Sequence, residues 1–161
     1  MVEMSLGQKA GGIRASHEMP RCAMAAGTTV LTLMGAVPVE YIAPGDRVIT
    51  RAGARTVRAV GIAVVKQARV IRISEWVLAK DRPEADILVS PSQPILIRDW
   101  RAKALARTPQ AVVAAEKLTD GEYVRAEVME EVWMVSLAFD QAETIYANGL
   151  ELICEPAEVT A

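Results

Sequence analysis

Short apolar runs, many of them alternating with polar residues and separated by turn residues, fill most of this chain. Thr28 to Leu33 (TTVLTL) is rich in β-branched residues and reads as a strand. Met34-Gly35-Ala36 is a turn, and Val37 to Glu40 is short and extended. Ile42-Ala43-Pro44-Gly45-Asp46 is a tight turn, because Pro presets φ and Gly accepts a positive φ. Arg47 to Thr50 leaves it as a strand, Ala52-Gly53-Ala54 is a hairpin tip, and Thr56 to Val65 and Arg69 to Ile73 alternate as two further strands. Glu75 to Ala79 is open between strand and irregular chain, and Lys80 to Asp86 is a polar loop. Ile87 to Val89 and Ile95 to Ile97 flank Ser90-Pro91-Ser92-Gln93-Pro94, whose prolines exclude a central ladder position and force a bend. Asp99 to Arg107 is the one predicted helix, with Asp99 as its N-cap and Thr108-Pro109 as its stop. Extended chain follows at Ala111 to Ala115, Tyr123 to Ala126, Val132 to Ala138, Thr144 to Tyr146 and Leu150 to Cys154, with Asn148-Gly149 as a hairpin turn. Many short strands with regular turns predict an all-β class.

One ten-residue pattern occurs twice. Val39-Glu40-Tyr41-Ile42-Ala43-Pro44-Gly45-Asp46-Arg47-Val48 aligns with Ala115-Glu116-Lys117-Leu118-Thr119-Asp120-Gly121-Glu122-Tyr123-Val124. Each copy carries a Glu, an aliphatic residue two later, a Gly three after that, an acid and then a Val. The repeat predicts a duplicated, pseudo-symmetric β domain.

Composition narrows the function classes. The 161 residues suffice for one domain with a real core, and with aromatics at 4% that core is aliphatic. Eighteen basic against 20 acidic residues give a net charge of -2, so no global basic field recruits nucleic acid or anionic lipid. No apolar run has the length of a membrane-spanning helix, and residues 1–21 lack the apolar stretch of a cleaved signal peptide. The expected compartment is the cytoplasm, with export without a cleaved signal as the alternative. Cys22 and Cys154 are too few for a disulfide framework. Residues 1–20 read as a flexible leader, 21–155 as the domain and 156–161 as a tail.

Four blocks together resemble the Hint superfamily, the Hedgehog/intein autoprocessing domains, and among them the short bacterial Hint-type domains. Ala26-Gly27-Thr28 with Val30-Leu31-Thr32 looks like the opening block, and Val39 to Thr50 like the "valine-glutamate…glycine-aspartate" turn. Val89 to Ile97 looks like the block that usually holds Thr- or Ser-x-x-His, and Tyr146-Ala147-Asn148-Gly149-Leu150 like the late "alanine-asparagine-glycine" block. The resemblance runs from about Cys22 to Glu155. It implies a pseudo-twofold, horseshoe-like β fold with one short helix. It also implies an acyl shift, in which a Cys, Ser or Thr attacks the preceding carbonyl while a His protonates the departing nitrogen.

The catalytic positions of that pattern are altered here. Four residues before Gly27, where the family places its nucleophile, stands Ala23; Cys22 is one residue early. A one-residue slip on an extended segment turns a side chain to the opposite face. The Ser-x-x-His position reads Ser90-Pro91-Ser92-Gln93. Gln93 cannot supply a proton near neutral pH, although it can hydrogen-bond a carbonyl. Ile153, Cys154 and Glu155 replace the terminal His-Asn and following nucleophile of an intein, so splicing is not expected. The aspartate of a "valine-tyrosine-aspartate" segment is matched loosely by Met134.

Other chemistry has little to build on. His17 is the chain's sole His and lies in the leader; with Cys22 and Cys154 it has no zinc-ligand spacing. Ser90 and Ser92 have no His partner, and Glu130 and Glu131, adjacent on a strand, point to opposite faces. No cofactor or metal is implied. Arg98, Arg101, Lys103 and Arg107 make the helix locally basic, with Trp100 expected to pack it onto the sheet. The expected function is a Hint-type domain without autoprocessing activity, acting as a scaffold or protein-interaction module toward an unidentified protein partner. One alternative is a self-cleaving peptidase using Cys22 through an N–S acyl shift; another is a binder of nucleic acid or an acidic partner through Arg98–Arg107.

Overall fold

The computed structural model describes residues 12–75, 77–78 and 83–157. Parts of the expected leader (before residue 12), of the 75–79 segment (76 and 79), of the polar loop (80–82) and of the tail (from 158) lie outside the described residues. The strands are β1 (Gly12–Ser16), β2 (Met24–Ala25), β3 (Thr29–Thr32), β4 (Gly35–Pro38), β5 (Arg47–Thr50), β6 (Gly53–Thr56) and β7 (Ala59–Ile73). Then follow β8 (Ile87–Val89), β9 (Pro94–Ile97), the helix α1 (Trp100–Ala106), β10 (Ala111–Ala114), β11 (Val124–Ala138), β12 (Glu143–Ala147) and β13 (Leu150–Cys154). The class is all-β, as the alternation predicts.

β7 and β11 run antiparallel over their full 15 residues each, from Val124↔Ile73 to Ala138↔Ala59. The far edge of β7 takes β1 in parallel at one end and β8 at the other. The far edge of β11 takes β2, which pairs in turn with β8, closing a four-strand circuit. A second sheet follows the order β10-β9-β13-β12-β3-β5-β6, with β4 beside β3. The main core, from Met24 and Val30 through Phe139, Ile145 and Leu152, is aliphatic as composition predicts.

The two strands expected at Thr56–Val65 and Arg69–Ile73 are one, and so are those expected at Tyr123–Ala126 and Val132–Ala138. Lys66-Gln67 and the acidic Glu127, Glu130 and Glu131 interrupt the apolar alternation and read as breaks. A ladder needs only backbone groups, and each strand supplies them to the other across this solvent-exposed stretch. Gln67 accommodates the bend at φ 50. Val39 and Glu40, expected to be extended, belong to a 3₁₀ turn, Val39–Tyr41. Its counterpart in the second copy of the repeat is Ala115–Leu118. The matched pairs Val39 and Ala115, Ile42 and Leu118, Val48 and Val124 are all buried, so the repeat in sequence is a repeat in packing.

The β12–β13 hairpin turns on Asn148 (φ 47) and Gly149 (φ 84), as a type I′ turn requires. Asn148 also ties distant segments together. Its Oδ1 accepts from the Thr29 N–H at 2.9 Å and the Thr29 hydroxyl at 3.0 Å, and its Nδ2 donates to the Asp86 carbonyl at 3.1 Å. Asn148→Ala orphans these groups and strains the positive φ; Asn148→Gly keeps the backbone easy and loses only the side-chain bonds. Urea unfolding is expected to show a loss of roughly 2–4 kcal/mol for Ala and about 1 kcal/mol less for Gly.

Candidate functional site

Chain segments far apart in sequence meet at Cys22. β2 begins two residues after it, β8 ends at Val89 just before the Ser90–Pro94 loop, and β13 ends at Cys154. A cleft of about 200 Å³ opens here, walled by Arg14, Arg21, Cys22, Ser136 and Glu155. Gly61 lies on its floor, where a Cβ would come within 2.4 Å of Ser136 Oγ; the missing side chain keeps the floor open.

Cys22 borders the cleft, while Ala23, on the next position of an extended segment, is fully buried in the smaller core cluster with Ala25, Ala63 and Met134. The carbonyl before Cys22, that of Arg21, accepts two hydroxyl hydrogen bonds: from Ser90 Oγ at 3.0 Å and from Ser92 Oγ at 2.7 Å. Arg21 Nη1 meets Glu155 Oε2 at 2.7 Å. Pairs of hydrogen-bond donors on a carbonyl oxygen are the arrangement that stabilises an oxyanion when that carbonyl is attacked.

Gln93 faces elsewhere. It is 1% exposed, and its Nε2 donates to the carbonyls of Pro94 and Ile153, both at 2.8 Å. Its side chain thus fastens the Pro-bent loop to β13. Met134 is buried and contributes no polar group. His17 is exposed, and its Nδ1 donates to the Val64 carbonyl at 3.3 Å. Among the described residues no group of three or more His, Cys, Asp and Glu is placed to hold a metal ion.

Both thiols are free and buried. Burial pushes the Cys22 thiol up to about 11, the Glu155 carboxylate beside it adds to the rise, and Arg21 opposes it. Burial raises the Cys154 thiol as well, followed by the nearby Cys22 and Glu155. At neutral pH Cys22 is therefore a protonated, weak nucleophile.

Two of the four basic residues in and around the helix are in ion pairs. Arg98 pairs with Glu151 and bonds Gln110, and Arg101 pairs with Asp99. Asp99 caps α1 by accepting from the Arg101 N–H at 2.9 Å, as expected. Trp100 does not pack the helix onto the sheet: it is 69% exposed, with the Arg101 guanidinium 4.7 Å above its ring. On a helix this short a single small residue, Ala102, makes the buried contact and leaves no room for an indole beneath. Ser136 and Glu155 at the cleft were not signalled as site residues by sequence. The Ser-Pro-Ser-Gln loop drew attention to Ser92, but its target, a carbonyl 71 residues away, is visible only in the fold.

The whole domain has known counterparts. A Hint domain family profile matches residues 22–155. Among solved structures, a bacterial intein-like domain from Clostridium thermocellum is 19% identical over 83% of this chain and 98% of its own, with a TM-score of 0.57. The MchDnaB-1 intein is 12% identical over 83% of this chain and 100% of its own, TM-score 0.54. The gp41-1 intein is 14% identical over 81% and 96%, TM-score 0.51. At such identities the structural likeness is one of fold. No protein of curated function matches the chain.

The raised thiol sets a pH profile. Alkylation of Cys22 by iodoacetamide, followed by mass spectrometry, should run about a hundredfold slower near neutral pH than for an unperturbed thiol and climb toward pH about 11. Folded Cys22 keeps its proton where the unfolded chain, with the ordinary value of 9.0, loses it. Stability should therefore be full below pH about 9 and fall as pH rises toward about 11; Cys22→Ala should make that fall shallower in urea titrations, leaving the part that the raised Cys154 thiol contributes.

Proposed function

The chain belongs to the Hint domain family, and on that premise we propose that it is a Hint domain that does not process itself and serves as a folded interaction module. The observation that carries this reading is the commitment of Gln93. An acyl shift at Cys22 breaks the Arg21–Cys22 peptide bond, and its nitrogen must gain a proton as it leaves. Gln93 has no proton to give and spends its amide on two structural carbonyls. The sole imidazole, that of His17, is engaged with Val64 on the edge of β7. General acid catalysis is typically worth 10²–10⁴ in rate, and its loss adds to the protonated state of the thiol.

As a platform, the domain offers exposed apolar residues at the β3–β4 turn, Leu33 and Met34, to a protein partner. The pairing of Arg98 with Glu151 and of Arg101 with Asp99 makes a nucleic-acid interface a weaker reading.

One observation favours a second reading, a residual N–S acyl shift: the two hydroxyls on the Arg21 carbonyl. In that step Cys22 Sγ bonds to the Arg21 carbonyl carbon and the C–N bond breaks. The thiol proton passes to Glu155, and solvent supplies the amine proton. The expected product is a thioester that dithiothreitol or hydroxylamine cleaves.

Intact mass of the full chain after prolonged incubation with either reagent separates the two. A single unchanged mass is expected. A fragment beginning at Cys22, abolished by Cys22→Ala, would establish the second reading instead. Gln93→Leu, which orphans the Pro94 and Ile153 carbonyls, should lower stability by about 1–3 kcal/mol for each group left unpaired, with the mass still unchanged.

A further inference from the structure

Residues 12–21 precede the family match, which starts at Cys22, yet they are held along the cleft. β1 lies parallel to β7 in the register Gly12↔Ala59 through Ser16↔Ala63, and the Gly12 N–H donates to the Arg58 carbonyl at 2.9 Å. Every residue of β1 is exposed, so the ladder itself holds backbone, while Arg14 lends its side chain to the wall of the cleft. His17 Nδ1 extends it by donating to Val64. Met19 then packs against the smaller core cluster of Ala23, Ala63, Val65 and Met134. Arg21 closes the run with its guanidinium on Glu155 and its carbonyl on Ser90 and Ser92.

Such a set of contacts is how an extended peptide is bound by strand addition: the sheet edge takes the backbone, and a few pockets take selected side chains. We propose that the β7 edge and the Cys22 cleft form a peptide-docking site occupied by this chain's own residues 12–21, with Arg21 as the side chain it selects through Glu155. The site takes an extended segment in parallel register, tolerates varied side chains at Ile13, Ala15 and Ser16, and reads a guanidinium at the position before Cys22. The docked segment covers one side of the cleft, and Cys22 beneath is only 8% exposed. This docking stands whether or not the Arg21–Cys22 bond is ever cleaved, so it goes beyond the functional reading above.

The geometry explains why the anchor matters. A five-residue parallel edge strand with no buried side chains is weak on its own. An exposed ion pair is also weak on its own, but here it sits at the tethered end, where a small bias decides whether the ladder closes. Because the segment is covalently attached, closing is intramolecular and needs little intrinsic affinity.

Amide hydrogen exchange on the full chain, read over Ile13 to Ser16, tests the site. Wild type should exchange there more slowly than the same sequence unstructured. Arg21→Glu, which faces Glu155 with a like charge, should speed exchange about tenfold and make Cys22 alkylation faster. The charge swap, Arg21→Glu with Glu155→Arg, should recover protection to within about threefold of wild type. Both residues are solvent-exposed, and unchanged protection in the β7–β11 ladder identifies variants that are folded. Exchange of 13–16 at the unstructured rate in wild type, no response to Arg21→Glu, or no recovery in the swap would each overturn the proposal. None of these results requires cleavage of the chain, so they are distinct from the outcome of the autoprocessing test.

Discussion

The ladder between β7 and β11 is the constraint on which the rest depends. Its inner edges are spent on each other, from Val124↔Ile73 to Ala138↔Ala59. Its outer edges then dictate where everything at the site can lie. The β7 edge receives β1 and β8, and the β11 edge receives β2. Because β2 and β8 also pair, Cys22 and the Ser90 loop are brought to the same end of the circuit. The Ser90 N–H donating to the Ala23 carbonyl at 3.0 Å fixes that approach. The position of the cleft is thus a consequence of hydrogen-bond closure rather than of any catalytic residue, and it survives substitutions of the reacting groups.

The same closure gathers polar side chains around the Arg21 carbonyl. Ser90 and Ser92 hold the Arg21 carbonyl as oxyanion donors would, while the same bonds anchor the loop to the start of the domain. Gln93 spends its amide on the Pro94 and Ile153 carbonyls, a clasp that secures the loop to β13. Both arrangements leave buried polar groups satisfied: no described buried side-chain nitrogen or oxygen lacks a hydrogen-bond partner. A glutamine at this position therefore leaves the interior without an unpaired polar group.

Much of this was legible in the sequence where the physics is local. Asp99 as a cap, Asn148-Gly149 as a turn and the buried positions shared by the two copies of the repeat all follow from side chains acting on their own neighbourhood. What escaped is what a distant strand supplies. β1 has no alternating pattern because all its residues face solvent, and its partner is the edge of β7. The polar centres of β7 and β11 stay extended because each is the other's hydrogen-bond partner. Glu155 reaches Arg21 across 134 residues, and no spacing in the chain announces that meeting. Family resemblance located the Ser90–Gln93 loop, but only the coordinates show that Gln93 turns away from the Arg21 carbonyl while Ser92 turns toward it.

The central claim is that the Arg21–Cys22 linkage rests as an ordinary amide. Only two cysteines occur, and only Cys22 follows an arginine. A chain carrying carbonyl-¹³C arginine and ¹⁵N cysteine therefore gives one carbonyl–nitrogen correlation in its NMR spectrum, from that bond alone. The account predicts a single amide correlation of constant intensity over days at neutral pH. Its decay, with the arginine carbonyl signal moving to the thioester region, would contradict it.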